Sequence, residues 1–454
     1  MARDAKVSMT EGALLGVIVR VALPVMLTNL LLVGYQLINA LFLGRLGAGA
    51  VAAVAASGPM FGVLLSLGSG LATAGAVLIA QYSGARQSDV TDHVAAQTLL
   101  MVAGVASGFA LIGFATGGPL LDFIGVTPEI RALTWSYLAI AYVGMLPQFG
   151  FMAIQAMLQA AGEVRFALWT MVASVAVNAL LDPIFIFGFG WGVAGAALAT
   201  LAAQLAALAL GLWRILSGRS ALHLRPVHFR PDLAHMRRAF GLGLPASIEQ
   251  GTRTFGSLVL MSTAAQFGTL ALATYGLGTR VMLLFFVPLL GLSAATAAVV
   301  GQNIGAGRLD RAEQAGRLAA WLSFAILTGL GLLLVPLAGP LMTLLAPGEP
   351  ELIREGVVFV YIFAPFLGFF AVPQVLLGVF RGAGSTRQSM TISLVMQWVF
   401  QMPAAWALAF LTPLGPLGVW WSYAVANIAA TIITILWFAR GPWRRRLVAA
   451  PAQD

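Results

Sequence analysis

The chain has 454 residues, 60% of them hydrophobic and 9% charged, with a net charge of +9 from 25 basic and 16 acidic residues. So little charge does not solvate the surface of a globular protein of this length, which excludes a soluble fold and implies a membrane protein. The absence of cysteine removes disulfides and thiolate metal centres, and four histidines, three of them in one polar segment (His223, His228, His235), do not make a structural metal site.

The first dozen residues, MARDAKVSMTEG, are polar and lack a cleavage pattern, so they are expected to form a short cytoplasmic lead or interfacial helix. Apolar windows then recur at 14–41, 51–80, 94–116, 132–154, 166–187 and 192–215, and again at 240–264, 270–300, 318–337, 357–380, 389–410 and 417–438. They are continuous and lack the alternation of barrel strands, and each matches the roughly 20 residues a helix needs to cross the hydrocarbon core. The expected fold is an all-α polytopic membrane protein with twelve transmembrane helices. With 51 glycines and 21 prolines, these helices should pack closely and break locally.

The basic residues set the orientation. Arg3, Lys6, Arg86, Arg165, the linker arginines, Arg308, Arg311, Arg317, Arg381, Arg387, Arg440, Arg444, Arg445 and Arg446 fall in one set of alternate segments, and only Arg45, Arg131 and Arg354 in the other. Positive charge stays inside, so both termini are expected in the cytoplasm. The linker 217–238 carries Arg219, Arg225, Arg230, Arg237 and Arg238 just after Arg214. It flanks spans and lacks aromatic stacking periodicity, so it is read as a partner of lipid headgroups and not of nucleic acid.

An internal repeat divides the chain. IAQYSGARQSD from Ile79 realigns with VGQNIGAGRLD from Val300 at an offset of 221, which sets Gln81 against Gln302 and Gly84 against Gly305; Leu23-Pro24 and Leu244-Pro245 keep the same offset. AAGE ending at Glu163 matches GAGS ending at Ser385. Residues 1–216 and 239–454 thus read as two six-helix lobes. An even number of spans gives both the same orientation, hence a pseudo-twofold axis along the membrane normal and an alternating-access cleft between them.

Polar residues inside the spans are candidates for function. Asp182 lies in NALLDPIFIFGFGWGVAGAALAT, four residues after Asn178 and directly before Pro183. A carboxylate at that depth pairs, faces a cavity or takes a proton, and this one is read as a site on a transport path, exchanging a proton or a sodium ion. Thr200 offers a further oxygen. In the first span Pro24 disturbs the helix, and Asn29, Gln36 and Asn39 share roughly one face, with Tyr35 beside them. In the second half Glu249 is followed by Gln250 and Arg253. Glu249 and Arg253 stand four apart, so an intrahelical ion pair competes with a coupling role for the acid. Met261, Met282, Phe285, Phe286, Met390, Met396, Trp398 and Met402 fit either packing or a pocket for flat cations. The spans hold no constellation of histidines and acids, so neither an enzyme nor a resident cofactor is expected.

These segments together resemble the prokaryotic multidrug and toxic compound extrusion (MATE) family: YQLINALFLGRLGAGAVAAVA, QYSGA, GQNIGAG, NALLDPIFIFGFGWGVAGAA and FRGAGSTRQ. The resemblance implies a two-lobed secondary antiporter, acting as a monomer, that exports organic cations or amphipathic compounds in exchange for protons or sodium. It implies a cation site whose proline falls on Pro24, its tyrosine on Tyr35, its asparagine and aspartate on Asn178 and Asp182, and its threonine on Thr200. Asn39 stands where that set has a second aspartate. The family's seventh-span glutamate falls on Glu249, and 357–380 offers no tenth-span acid. With fewer anionic ligands left to hold sodium, the proton is preferred. The competing readings are a flippase for a lipid-linked precursor, which calls for a strongly basic central cavity, and a non-transporting scaffold or receptor.

Overall fold

The computed structural model describes residues 7–444; Arg3, Lys6, Arg445 and Arg446, which entered the charge argument, lie outside them. Every regular element among the described residues is helical. In chain order they are α1 (Leu14–Arg45), α2 (Ala48–Gly84), α3 (Ser88–Ile124), α4 (Pro128–Val143), α5 (Met145–Ala161), α6 (Val164–Pro183) and α7 (Gly192–Leu216). After the linker come α8 (Leu233–Ala265), α9 (Thr269–Gly305), α10 (Leu309–Leu345), α11 (Pro350–Phe363), α12 (Leu367–Gly382), α13 (Thr386–Leu394), α14 (Met402–Phe410) and α15 (Pro416–Arg440). Ten of the described helices are long and apolar enough to cross a membrane, and the bent pair of α4 and α5 makes eleven. The protein is an all-α, multi-pass membrane protein. The expected count of twelve differs by α8, whose 33 residues include Arg237, Arg238, Glu249 and Arg253 and which is not among those apolar helices.

The fourth expected span, 132–154, is broken. α4 and α5 meet at Gly144 with a bend of 49°. Pro147, in the first turn of α5, has no N–H to offer the carbonyl four residues back, so a helix arriving from α4 cannot run through this point intact. The lead also differs from expectation. Residues 7–13 are not helical but form a strap pinned by others: Val7 donates its amide to Gly162 O at 3.0 Å, Asn303 donates to Met9 O at 3.0 Å, and Arg311 donates to Gly12 O at 2.7 Å. The Met9 side chain is wholly buried in the core. The end of the linker is corrected too, since α8 starts at Leu233 and takes the last six residues of 217–238 into a helix. What remains is fastened to α3: Asp92 accepts the His223 amide at 2.7 Å, and Gln97 donates to the carbonyls of His228 and Arg230. Asp232 caps α8 by accepting from the His235 amide, and that bond holds its carboxyl below the usual carboxylate range.

Helices of the two sequence repeats pack on each other as α1 against α9 and α2 against α8, with α2 also crossing α9. The closest approach is where α2 and α9 end. A Cβ on Gly84 would stand 2.0 Å from Gln302 O, and one on Gly305 would stand 1.9 Å from Gln81 O, so only glycine fits at either place. Small residues let the backbones close in this way, and packing in lipid gains from it. The neighbouring glutamines cross over. Gln81 donates to Gly382 O at 3.1 Å and Gln302 donates to Ala160 O at 2.7 Å. This clasp seals one end of the interface, and Ala80, Ala160 and Gly382 form the floor of a cavity above it.

Candidate functional site

Asp182 stands at the end of α6, fully buried, with Asn178 one turn earlier on the same face. Pro183 follows, and the backbone then widens into a π turn, Ile184–Gly188, an irregularity that recurs at functional sites. Asn178 donates to Asp182 Oδ1 at 3.3 Å. Asp182 Oδ2 and Asn178 Oδ1 are buried and have no hydrogen-bond partner in the protein. Asn39 Oδ1 and the Tyr35 hydroxyl, both brought in by α1, are buried in the same unpartnered state. Tyr35 is turned towards Thr200 of α7 and Asn39 and lies within electrostatic reach of Asp182. An unsatisfied buried polar atom costs about 1–3 kcal/mol, so four such oxygens beside one carboxylate suit a donor or a cation.

Three neighbours of this cluster, Tyr137, Gln148 and Gln204, had no sequence signal beyond ordinary amphipathic patterning. Tyr137 of α4 also feels the charge of Asp182. With Gln148, Thr200 and Gln204 it lines a small cavity of about 40 Å³, large enough for one water-sized guest, across which Gln204 donates to Gln148.

Glu249 forms a separate cluster. Its Oε1 accepts from Arg253 at 2.6 Å and from Arg381 at 2.6 Å, and its Oε2 accepts from Ser389 at 2.7 Å. Arg381 also donates to Ser293 at 2.9 Å. Of the two readings of Glu249, the geometry is that of the ion pair, enlarged by a second guanidinium from 132 residues away. Arg381, counted from sequence among the cytoplasmic basic residues, points back into the bundle.

This second cluster borders the central cavity of about 420 Å³, which Asn29, Gln155, Gln159, Gln250, Arg253 and Arg381 also line. A further cavity of about 420 Å³ opens on the other side of Arg253, between α8, α9, α12 and α15. Met282, Phe286 and Met396 from the aromatic and methionine set line it, whereas Met261, Phe285, Met390, Trp398 and Met402 do not. Gln397 and Gln401 reach it from a second π segment, Val395–Gln401. Pro24 sits inside an unbroken α1 and its carbonyl accepts from Thr28 at 2.9 Å. Gln36 is exposed and lines neither cavity, so the expected face of Asn29, Gln36 and Asn39 is divided among three surroundings.

Comparison with known proteins agrees with this architecture. A "Probable multidrug resistance protein YpnP" of Bacillus subtilis (strain 168) is 27% identical over 96% of this chain and 97% of its own length. A "Probable multidrug resistance protein NorM" of Bradyrhizobium diazoefficiens is 30% identical over 92% of each. Among solved structures, one described as MATE in complex with MaL6 superposes with a TM-score of 0.90 at 25% identity, covering 96% of this chain and 98% of that one. The family model MatE matches residues 24–184 and 245–407. The chain belongs to the MATE family of multidrug resistance transporters.

Proposed function

We propose that the protein is a secondary antiporter that exports amphipathic drugs by alternating access and couples their movement to a cation bound at Asp182. Family membership already makes it a secondary active transporter of small molecules and not an enzyme. The observation that carries the coupling claim is the unpartnered set of Asp182 Oδ2, Asn178 Oδ1, Asn39 Oδ1 and the Tyr35 hydroxyl. A proton on Asp182 removes the buried charge, and the tyrosine hydroxyl then serves as one donor among acceptors. Sodium is the second reading, favoured by the surplus of acceptor oxygens around a single carboxylate. Glu249 is a poorer carrier because both of its oxygens are already engaged.

The two repeats are the two lobes, 1–216 and 239–454, joined by the basic linker. Counting α4 with α5 as one span, and α8 as another despite its charges, gives twelve spans and six per lobe. The crossed bonds of Gln81 and Gln302 and the paired glycines at 84 and 305 support a pseudo-twofold axis between α2 and α9. The clasped end carries Arg86 and Arg308, so it faces the cytoplasm of an inner-membrane protein whose termini are both inside. The cavity therefore opens outward in this conformation. The basic linker rests at the anionic cytoplasmic leaflet, and the monomer is the working unit.

Efflux of a fluorescent amphipathic drug from proteoliposomes, under proton and sodium gradients imposed one at a time, tests this reading. Proton-driven efflux at zero sodium is the expected outcome. Strict dependence on sodium at fixed pH replaces the ion, and indifference to both gradients removes the antiport reading.

A further inference from the structure

Among the described residues, Glu249, Arg253 and Arg381 are the charged ones lining the two cavities of about 420 Å³ inside the bundle. Their charges do not cancel. One carboxylate faces two guanidiniums, which stay protonated at any physiological pH. Both arginines donate to the same oxygen, Glu249 Oε1, and Ser389 donates to the other, so three donors already occupy the acid and its charge is matched before any guest enters. Asp182 lines neither cavity and does not offset the excess. A low-dielectric site with one surplus positive charge repels an organic cation and attracts an anion.

The donors are placed for it. A guanidinium carries five N–H donors, and the one hydrogen bond of Arg253 goes to Glu249. Arg253 is the wall common to both cavities, with its side chain 20% accessible. The second cavity has an apolar side, Met282, Phe286 and Phe370, and Asn427 on its lining has a buried Nδ2 donor with no partner. Each cavity is of a size that holds a drug-like molecule.

We infer that the second cavity binds an amphiphile bearing one anionic group, a carboxylate, sulfonate or phosphate, held at Arg253 with its apolar body against Met282, Phe286 and Phe370, while Arg381, on the first cavity, supplies the surplus positive charge. The inference rests on the transport reading only in calling the guest a substrate. The anionic group belongs either to a free amphiphile or to a lipid headgroup, which share this chemistry.

Equilibrium binding to the purified full chain in neutral detergent, without any gradient, separates this from the transport claim. The probes are radiolabelled naphthalenesulfonate and naphthyltrimethylammonium, which share a ring and differ in sign. The sulfonate should bind at least about tenfold more tightly. E249Q should raise its affinity roughly tenfold, and R381Q should lower it by a similar factor. A melting curve for each variant reports folding, and R253Q, expected to weaken the sulfonate as R381Q does, carries the test if E249Q does not fold. Displacement of the sulfonate by a short-chain phosphatidate, but not by the matching phosphatidylcholine, supports a lipid source. Displacement by neither supports a free amphiphile. Ammonium binding as tight as sulfonate binding, or weaker sulfonate binding in a folded E249Q, overturns the inference.

Discussion

Two of the buried acids, Asp182 and Glu249, are treated in opposite ways. Asp182 has one amide donor at 3.3 Å, no cationic partner, and unpartnered oxygens around it. Glu249 has two guanidiniums and a hydroxyl, each within 2.7 Å. The contrast separates an acid open to a cation from one held in its charged state. A carboxylate left short of donors changes its occupancy at little cost, while a saturated one would first have to break charge-assisted bonds.

The largest effect that sharpens this contrast is on coupling. Asp182→Asn should reduce gradient-driven drug efflux by about two orders of magnitude or more, a loss expected when the only titratable group of a site is removed, while leaving the melting temperature near that of the native chain. Next in size is stability. Removing one partner from a buried charge network costs about 3–5 kcal/mol, so Glu249→Leu should lower the melting temperature sharply. Asp182→Leu should cost less, about 1–3 kcal/mol at most, because it removes the unsatisfied Oδ2 but leaves the Asn178 amide without its acceptor. A smaller effect concerns the clasp beneath the cavity. The chain contains no cysteine, so spin labels on cysteines introduced at Arg86 and Arg308 report the distance across it without background. Gly84→Val should shift that distance outward, since even a Cβ there would fall on Gln302 O. The smallest effect is for Tyr35→Phe, which removes one of four unpartnered oxygens and should slow coupled efflux about three- to tenfold, as loss of a hydrogen bond worth about 0.5–1.5 kcal/mol allows.

Much of the Asp182 site was legible because an acid in an apolar run is conspicuous by itself, and Asn178 shares its face through simple helical spacing. The repeat was legible too, and the glycines and glutamines that carried it are those that interlock the two halves. The Glu249 cluster was half visible. Arg253 is four residues away, but Arg381 meets the acid only through the packing of α12 on α9 and of α8 on α13, which no local pattern encodes. The positive balance of the cavity was hidden with it. The break at Gly144 carried a readable signal, a glycine three residues before Pro147, masked by the unbroken apolarity around it. The strap at residues 7–13 was not readable, because its order comes from Asn303, Arg308 and Arg311 nearly three hundred residues on.

The division of labour between the two acids is tested most directly by measuring gradient-driven efflux of one drug in Asp182→Asn and Glu249→Gln proteoliposomes side by side. The account predicts that Asp182→Asn loses the response to the imposed cation gradient and that Glu249→Gln keeps it, with only its apparent affinity for the drug changed. An intact gradient response in Asp182→Asn, or its loss in a folded Glu249→Gln, would contradict it.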